Sequence, residues 1–159
     1  MNVSDYLSAI NLEATTKFQI SKNPGIEIKQ IQEIEEKLRI KLPKDLVEFY
    51  NYSNGLEGDD FIFNIIPLQE VTLDKDEIGI YLVFAEYMIY SETCGVEIDN
   101  TDGNKYKFFT TSVYPIKNNR IHRFYIAESL EDFIKLYCRK GTFGIWTDYN
   151  ENSDSESLK

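Results

Sequence analysis

The chain has 159 residues, the length of a single domain, and its 42% hydrophobic, 28% charged and 14% aromatic content excludes a disordered polymer. With 27 acidic against 17 basic residues the formal charge is −10, which sets phosphate backbones and anionic lipid aside as partners. No apolar run approaches the roughly 20 residues of a bilayer span, and residues 1–18 lack both a basic and a continuous apolar export region, so a cytoplasmic location is expected.

In chain order, Asp5 to Phe18 reads as a short amphipathic helix whose apolar stripe holds Tyr6, Leu7, Ile10, Leu12 and Ala14. Asn23-Pro24-Gly25 breaks the chain. From Glu27 to Arg39, Ile28, Ile31, Ile34 and Leu38 recur at helical spacing, and Gln30, Glu33, Glu36 and Lys37 fill the opposite, wet face. Leu42-Pro43 is expected to end that helix, because the residue before a proline is pushed out of the α region. Pro43 suits the first turn of a second helix running to about Tyr52, with Leu46, Val47, Phe49 and Tyr50 inward and Asn54-Gly55 as its C-terminal stop.

The period then changes to that of strands. Phe61 to Ile66, Ile80 to Tyr90 and Gly95 to Asp99 are strand candidates, and Asp102-Gly103 supplies a hairpin turn back through Lys105 to Thr110. Val113 to Ile116 and Ile121 to Ile126 follow as further strands around a turn at Lys117-Asn118-Asn119. Ser129 caps a last helix to about Lys140, with Phe133, Ile134, Tyr137 and Cys138 inward and Gly141 as its stop. Helices first, a mostly antiparallel sheet next and one closing helix define an α+β fold. One domain to residue 150 is expected, followed by an acidic tail from 151 to 159 that has too little apolar surface to order.

The spacing Ile31, Ile34-Glu35, Leu38, Ile40, Leu42-Pro43, Asp45 and Phe49-Tyr50, closed by Asn54-Gly55, resembles the opening motif of the SUKH, or Smi/Knr-like, superfamily. Ile66-Pro67-Leu68 with Glu70, and Ile126 to Ile134, look like that family's later elements, so the likeness covers residues 26 to 140. The resemblance implies a SUKH-like α+β fold and, for bacterial members, an immunity protein that binds and blocks a polymorphic toxin; fungal relatives regulate cell-wall assembly through protein contacts. The motif residues themselves read as scaffold: a corner, a cap and core isoleucines, with Glu35 expected to brace a neighbouring backbone group.

Catalytic patterns are thin. A nucleophile needs a base within hydrogen-bond reach, and the one pairing on offer is Cys94 with His122, oriented by Asp99 or Asp102; nothing in the sequence brings them together. Cys94 and Cys138 lack metal or redox spacing and are expected to be reduced, partly buried thiols. Asp74, Asp76 and Glu77 lack the glycine and terminal glutamate of a calcium loop and read as a solvated turn. No metal, no cofactor and no enzymatic activity are expected.

Surface charge remains. Glu57, Asp59 and Asp60 form one acidic cluster and Glu97, Asp99 and Asp102 another; with Tyr87 and Tyr90 as aromatic anchors these are the candidate partner-binding residues. The expectation is an immunity protein, monomeric or weakly dimeric, that covers a cognate toxin domain such as a basic nuclease, binding neither nucleic acid nor membrane. The alternative is a regulator that binds a small molecule or peptide on its sheet face.

Overall fold

A computed structural model of the chain describes residues 5, 20–58, 63–87, 92–99, 101–111 and 123–137. The helix expected over 5–18, the segment 113–119, His122, Cys138 and the tail lie outside these residues, apart from Asp5.

Helix α1 spans Ile28–Leu38, and the Gln30 Oε1 accepts the backbone N–H of Glu27 at 3.1 Å across its first turn. Ile31 is buried and Ile34 and Leu38 are half-buried, but Ile28 is 44% exposed, because it precedes the turn at which the helix meets the core. The helix ends earlier than Leu42-Pro43: Arg39 turns left-handed at φ 57 and its N–H reaches the carbonyls of Glu35 and Glu36. Glu35, only 6% exposed, accepts the Leu42 N–H through Oε1 and the Lys41 ammonium through Oε2, both at 2.8 Å. The expected brace is thus a specific one, fixing the corner from inside.

Pro43 then opens helix α2, Lys44–Tyr52, which buries Leu46, Phe49 and Tyr50. Asn54-Gly55 is not its cap. Ser53 is already extended, and Asn54 and Gly55 lie within strand β2, Ser53–Gly58. Gly55 adopts φ +94 and an added Cβ would stand 2.5 Å from the Ile65 carbonyl oxygen, so glycine serves a close backbone crossing. Asn54 holds the other side of that crossing: its Oδ1 accepts the Leu68 N–H at 2.9 Å and its Nδ2 donates to Gln69 Oε1 at 2.8 Å.

Among the described residues, eight strands form one antiparallel sheet, in the order β1-β2-β3-β5-β6-β7-β8 with β4 beside β5. The strands are β1 (Ile20–Pro24), β2, β3 (Phe63–Ile65), β4 (Thr72–Lys75), β5 (Ile80–Tyr87), β6 (Glu92–Ile98), β7 (Tyr106–Thr111) and β8 (Arg123–Ala127). β3 and β4 share one edge of β5, facing residues 85–87 and 80–83 respectively. Between them Ile66-Pro67 and a short 3₁₀ turn, Leu68–Glu70, lift the chain off that edge. Helix α3, residues 130–137, starts at Ser129, whose Oγ accepts the Asp132 N–H at 3.1 Å. The expected α+β class is the observed one.

The helices cover one face of the sheet. Phe84 of β5 meets Tyr50 of α2 and Phe133 of α3 edge-on, at 6.2 and 5.4 Å between ring centroids, and Phe108 stacks on Phe133 at 4.4 Å. Each fully buried ring contributes on the order of 1.5–3 kcal/mol through the area it removes from water. Cys94 is 0% exposed on this same layer, more deeply buried than expected.

Candidate binding surface

The other face of β5 to β8 carries its own side-chain layer. Successive strand residues alternate between faces, so the paired positions Gly95 with Phe109, Glu97 with Lys107, and Phe109 with Tyr125 project away from the helices. Gly95 is a valley in this surface: a Cβ there would lie 2.4 Å from Phe109 Cζ and 2.8 Å from Tyr81 Cδ2. The two rings fill the valley edge to face, 5.0 Å apart.

Arg123 reaches from β8 across these rings, its guanidinium carbon 4.5 Å from the Phe109 centroid and 5.1 Å from that of Tyr81. Every branch of the guanidinium is engaged. Nε and one terminal nitrogen donate to the two oxygens of Asp76 at 2.6 and 2.7 Å; that same nitrogen also donates to the Gly79 carbonyl at 2.8 Å. The remaining nitrogen donates to Glu97 Oε2 at 2.7 Å. The Arg123 and Asp76 side chains are 1% and 4% exposed, whereas Glu97 is 37% exposed. Asp76 also accepts the N–H groups of Ile78 and Gly79, at 2.9 and 3.0 Å. Burial opposes its charge, but the hydrogen bonds from Arg123, Gly79 and Ile78 outweigh burial and hold the Asp76 carboxyl below its ordinary range. The solvated turn expected at Asp74-Asp76-Glu77 is therefore corrected at Asp76, whose side chain is buried and bolts the β4–β5 turn to β8, while Asp74 accepts the Tyr81 hydroxyl at 3.1 Å.

Beside this layer opens a cleft of about 430 Å³, between the turn residues Ile78 and Ile80 and the hairpin residues Glu97, Asp99, Lys105 and Lys107. Ile78 and Ile80 are 59% and 62% exposed, and neighbouring Tyr125 is 49% exposed. The Tyr125 hydroxyl donates to Glu97 Oε2 at 2.6 Å; burial and then that carboxylate raise its pKa. Lys107 pairs with Glu128 at 3.2 Å and Lys105 with Asp102 at 3.7 Å.

The expected partner-binding residues fall into separate places. Glu97 and Asp99 line the cleft. Asp99 Oδ1 accepts the Thr101 N–H and hydroxyl and the Asp102 N–H, which hold its carboxyl below the usual range, and Asp102 accepts the Asn104 N–H; both therefore shape the β6–β7 turn. Glu57 is exposed on β2, opposite Ser21 and Asn64, a separate strand region from the cleft. Tyr87 is placed only by its backbone, opposite Phe63 and Glu92, while Asp59, Asp60 and Tyr90 lie outside the described residues. Sequence reasoning missed Asp76, Arg123, Ile78, Ile80 and Tyr125. An available signal was Ile78-Gly79-Ile80, where a turn glycine carries two isoleucines that a purely solvated loop does not need.

Among the described residues no group of three or more His, Cys, Asp or Glu side chains is disposed to hold a metal ion. No helix among them is long and apolar enough to cross a membrane. The surface offers apolar contact, an aromatic ring and carboxylates on a fixed frame, the means of recognising another molecule.

No curated protein matches the chain in sequence. A family model does match, over residues 25–136, from the close-packed Gly25 through the corner held by Glu35 to the core-facing helix α3. On that match, the chain belongs to the SMI1/KNR4 family (SUKH-1).

Proposed function

We propose that this chain is an immunity protein, which binds a cognate polymorphic toxin domain in the cytoplasm and blocks it by protein contact, without cofactor or turnover. Membership of the SMI1/KNR4 family supports the reading, since its bacterial members are associated with toxin systems. The observation that carries it is the setting of exposed Ile78, Ile80 and Tyr125 beside the carboxylates of Glu97 and Asp99. Exposed apolar and aromatic anchors next to charged side chains are what a specific interface uses. The net charge of −10 matches a basic partner such as a nuclease.

The test is co-expression with the toxin domain encoded next to this gene. Cells survive the toxin only when the intact chain is present, and the purified proteins form a complex that weakens as salt is raised. A toxin gene whose lethality the chain does not relieve overturns the reading.

The cleft volume of about 430 Å³ favours one second reading, a regulator that takes a small molecule or peptide there, because ligand sites typically measure about 300–1,000 Å³. That reading predicts a rise in melting temperature with a metabolite and no rescue from any toxin.

A further inference from the structure

We infer that the toxin is engaged at the cleft between the β4–β5 turn and the β6–β7 hairpin, by a lysine or arginine of the toxin whose aliphatic stem lies against Ile78 and Ile80 and whose charge meets Glu97 and Asp99. The inference rests on the immunity reading and names the surface and the partner's chemistry.

The charges decide the sign of the occupant. Glu97 receives both of its hydrogen bonds on Oε2, and Asp99 receives all three of its own on Oδ1. Among the described residues no hydrogen bond reaches Glu97 Oε1 or Asp99 Oδ2, so one acceptor on each side chain is open at a surface that both line. Glu97 lies near the end of β6 and Asp99 just beyond it, both lining the cleft and about 7 Å apart along an extended backbone, a span that one guanidinium or ammonium with its water bridges. The cations already present are otherwise engaged: Arg123 is spread over Asp76, Gly79 and Glu97, Lys107 lies with Glu128, and Lys105 with Asp102. The cleft lining carries Glu97 and Asp99 against Lys105, Lys107 and Arg123, and those three cations are in turn paired with Asp102, Glu128 and Asp76 behind them; counted with these partners, five acids stand against three bases, an excess that favours a cation over an anion.

The wall opposite the carboxylates is apolar and exposed, which suits the methylene stem of a long basic side chain. It is also rigid: Asp76 accepts the Ile78 and Gly79 N–H groups and is itself clamped by Arg123, so the isoleucines are presented without a large ordering cost. Ile78 and Ile80 line the recess and exposed Tyr125 stands next to it on Glu97, the kind of setting where the anchors of protein interfaces concentrate.

The experiment measures the affinity of the purified chain for the toxin domain encoded by the neighbouring gene. Ile78→Arg and Ile80→Arg, which leave the Asp76–Arg123 pair intact, each weaken binding at least tenfold while the thermal melt is unchanged. Asp99→Asn flattens the salt dependence of the affinity, and p-benzoylphenylalanine in place of Ile80 crosslinks to the toxin. Glu33→Lys and Glu36→Lys, on the exposed side of α1, leave binding unaltered. A wild-type complex that tolerates both isoleucine substitutions but is lost with the α1 variants overturns this inference alone; a wild-type chain that forms no complex and gives no protection overturns the immunity reading and the inference with it.

Discussion

Glu35, in the middle of α1, accepts the backbone N–H of Leu42 at 2.8 Å, so a carboxylate from one helix fixes the residue that leads into the next. Without it the Leu42 N–H, buried at the corner, has no acceptor. Glu35→Ala is expected to lower stability by about 1–3 kcal/mol, the cost of leaving a buried donor unsatisfied. Glu35→Gln keeps an acceptor for Leu42 and loses less. Urea denaturation of the two variants separates the hydrogen bond from the charge; equal losses would contradict this account. Lys41→Ala changes little, since its side chain is 76% exposed.

Removing one member of the buried ion pair on the opposite face is costlier. Arg123→Ala leaves Asp76 in a site with 4% exposure and no counter-charge, and an uncompensated buried charge of that kind costs about 3–5 kcal/mol. The double variant Arg123→Met with Asp76→Asn is expected to recover a large part of the loss, because it removes both charges together. A double-mutant cycle in urea measures the coupling; simple additivity of the two changes would show that the pair does not act as a unit.

The pH dependence of stability has two limbs. Asp76 and Asp99 have folded pKa values below the ordinary aspartate value of 3.8, so their contributions are complete above that pH and are lost as pH falls through the depressed folded values. Asp76→Asn therefore yields a flatter acid limb than the wild-type chain. On the alkaline side Tyr81 is pushed up to about 12, by burial first and then by Asp74, against an ordinary value of 10.0. The neutral phenol is what the fold stabilises, so its contribution is intact below about pH 10 and disappears toward pH 12. Tyr81→Phe removes that part of the alkaline limb. Melting temperatures from pH 2 to 12 test both signs.

Gly95→Ala is expected to destabilise by about 1–3 kcal/mol, as overpacking commonly does, because its Cβ would stand 2.4 Å from the Phe109 ring and push it toward Arg123. The same change at Gly103, which has nothing within 4 Å, is expected to be silent. Comparing the two melts separates packing from backbone propensity.

The helices and the central strands were legible in the sequence because their periods are those of half-buried surfaces: Ile31, Ile34 and Leu38 on α1, Val96 and Phe108 in the β6–β7 hairpin. β1, β2 and β4 were not. Their residues include Asn23-Pro24, Asn54-Gly55 and Asp74-Lys75, which carry turn signals locally and become strands only through pairing across the sheet. Glu35 was legible as a brace because a single charge sat among core positions. The Arg123–Asp76 pair was not, since 46 residues intervene and only the fold brings them to 2.6 Å. Glu97 and Asp99, which line the cleft, stood out by charge alone, and the isoleucines beside them escaped because apolar residues near a strand start read as core.

The β4–β5 turn is secured from below by Asp76, while Glu77, Ile78 and Ile80 point their variety outward from that fixed base. Chemical identity at these tips is thereby uncoupled from the folding of the domain: exchanging them alters the exposed surface and leaves the helices, the aromatic layer and the corner at Glu35 as they are. Rewriting a handful of codons there would give the exposed surface new chemistry, with the rest of the chain inherited untouched.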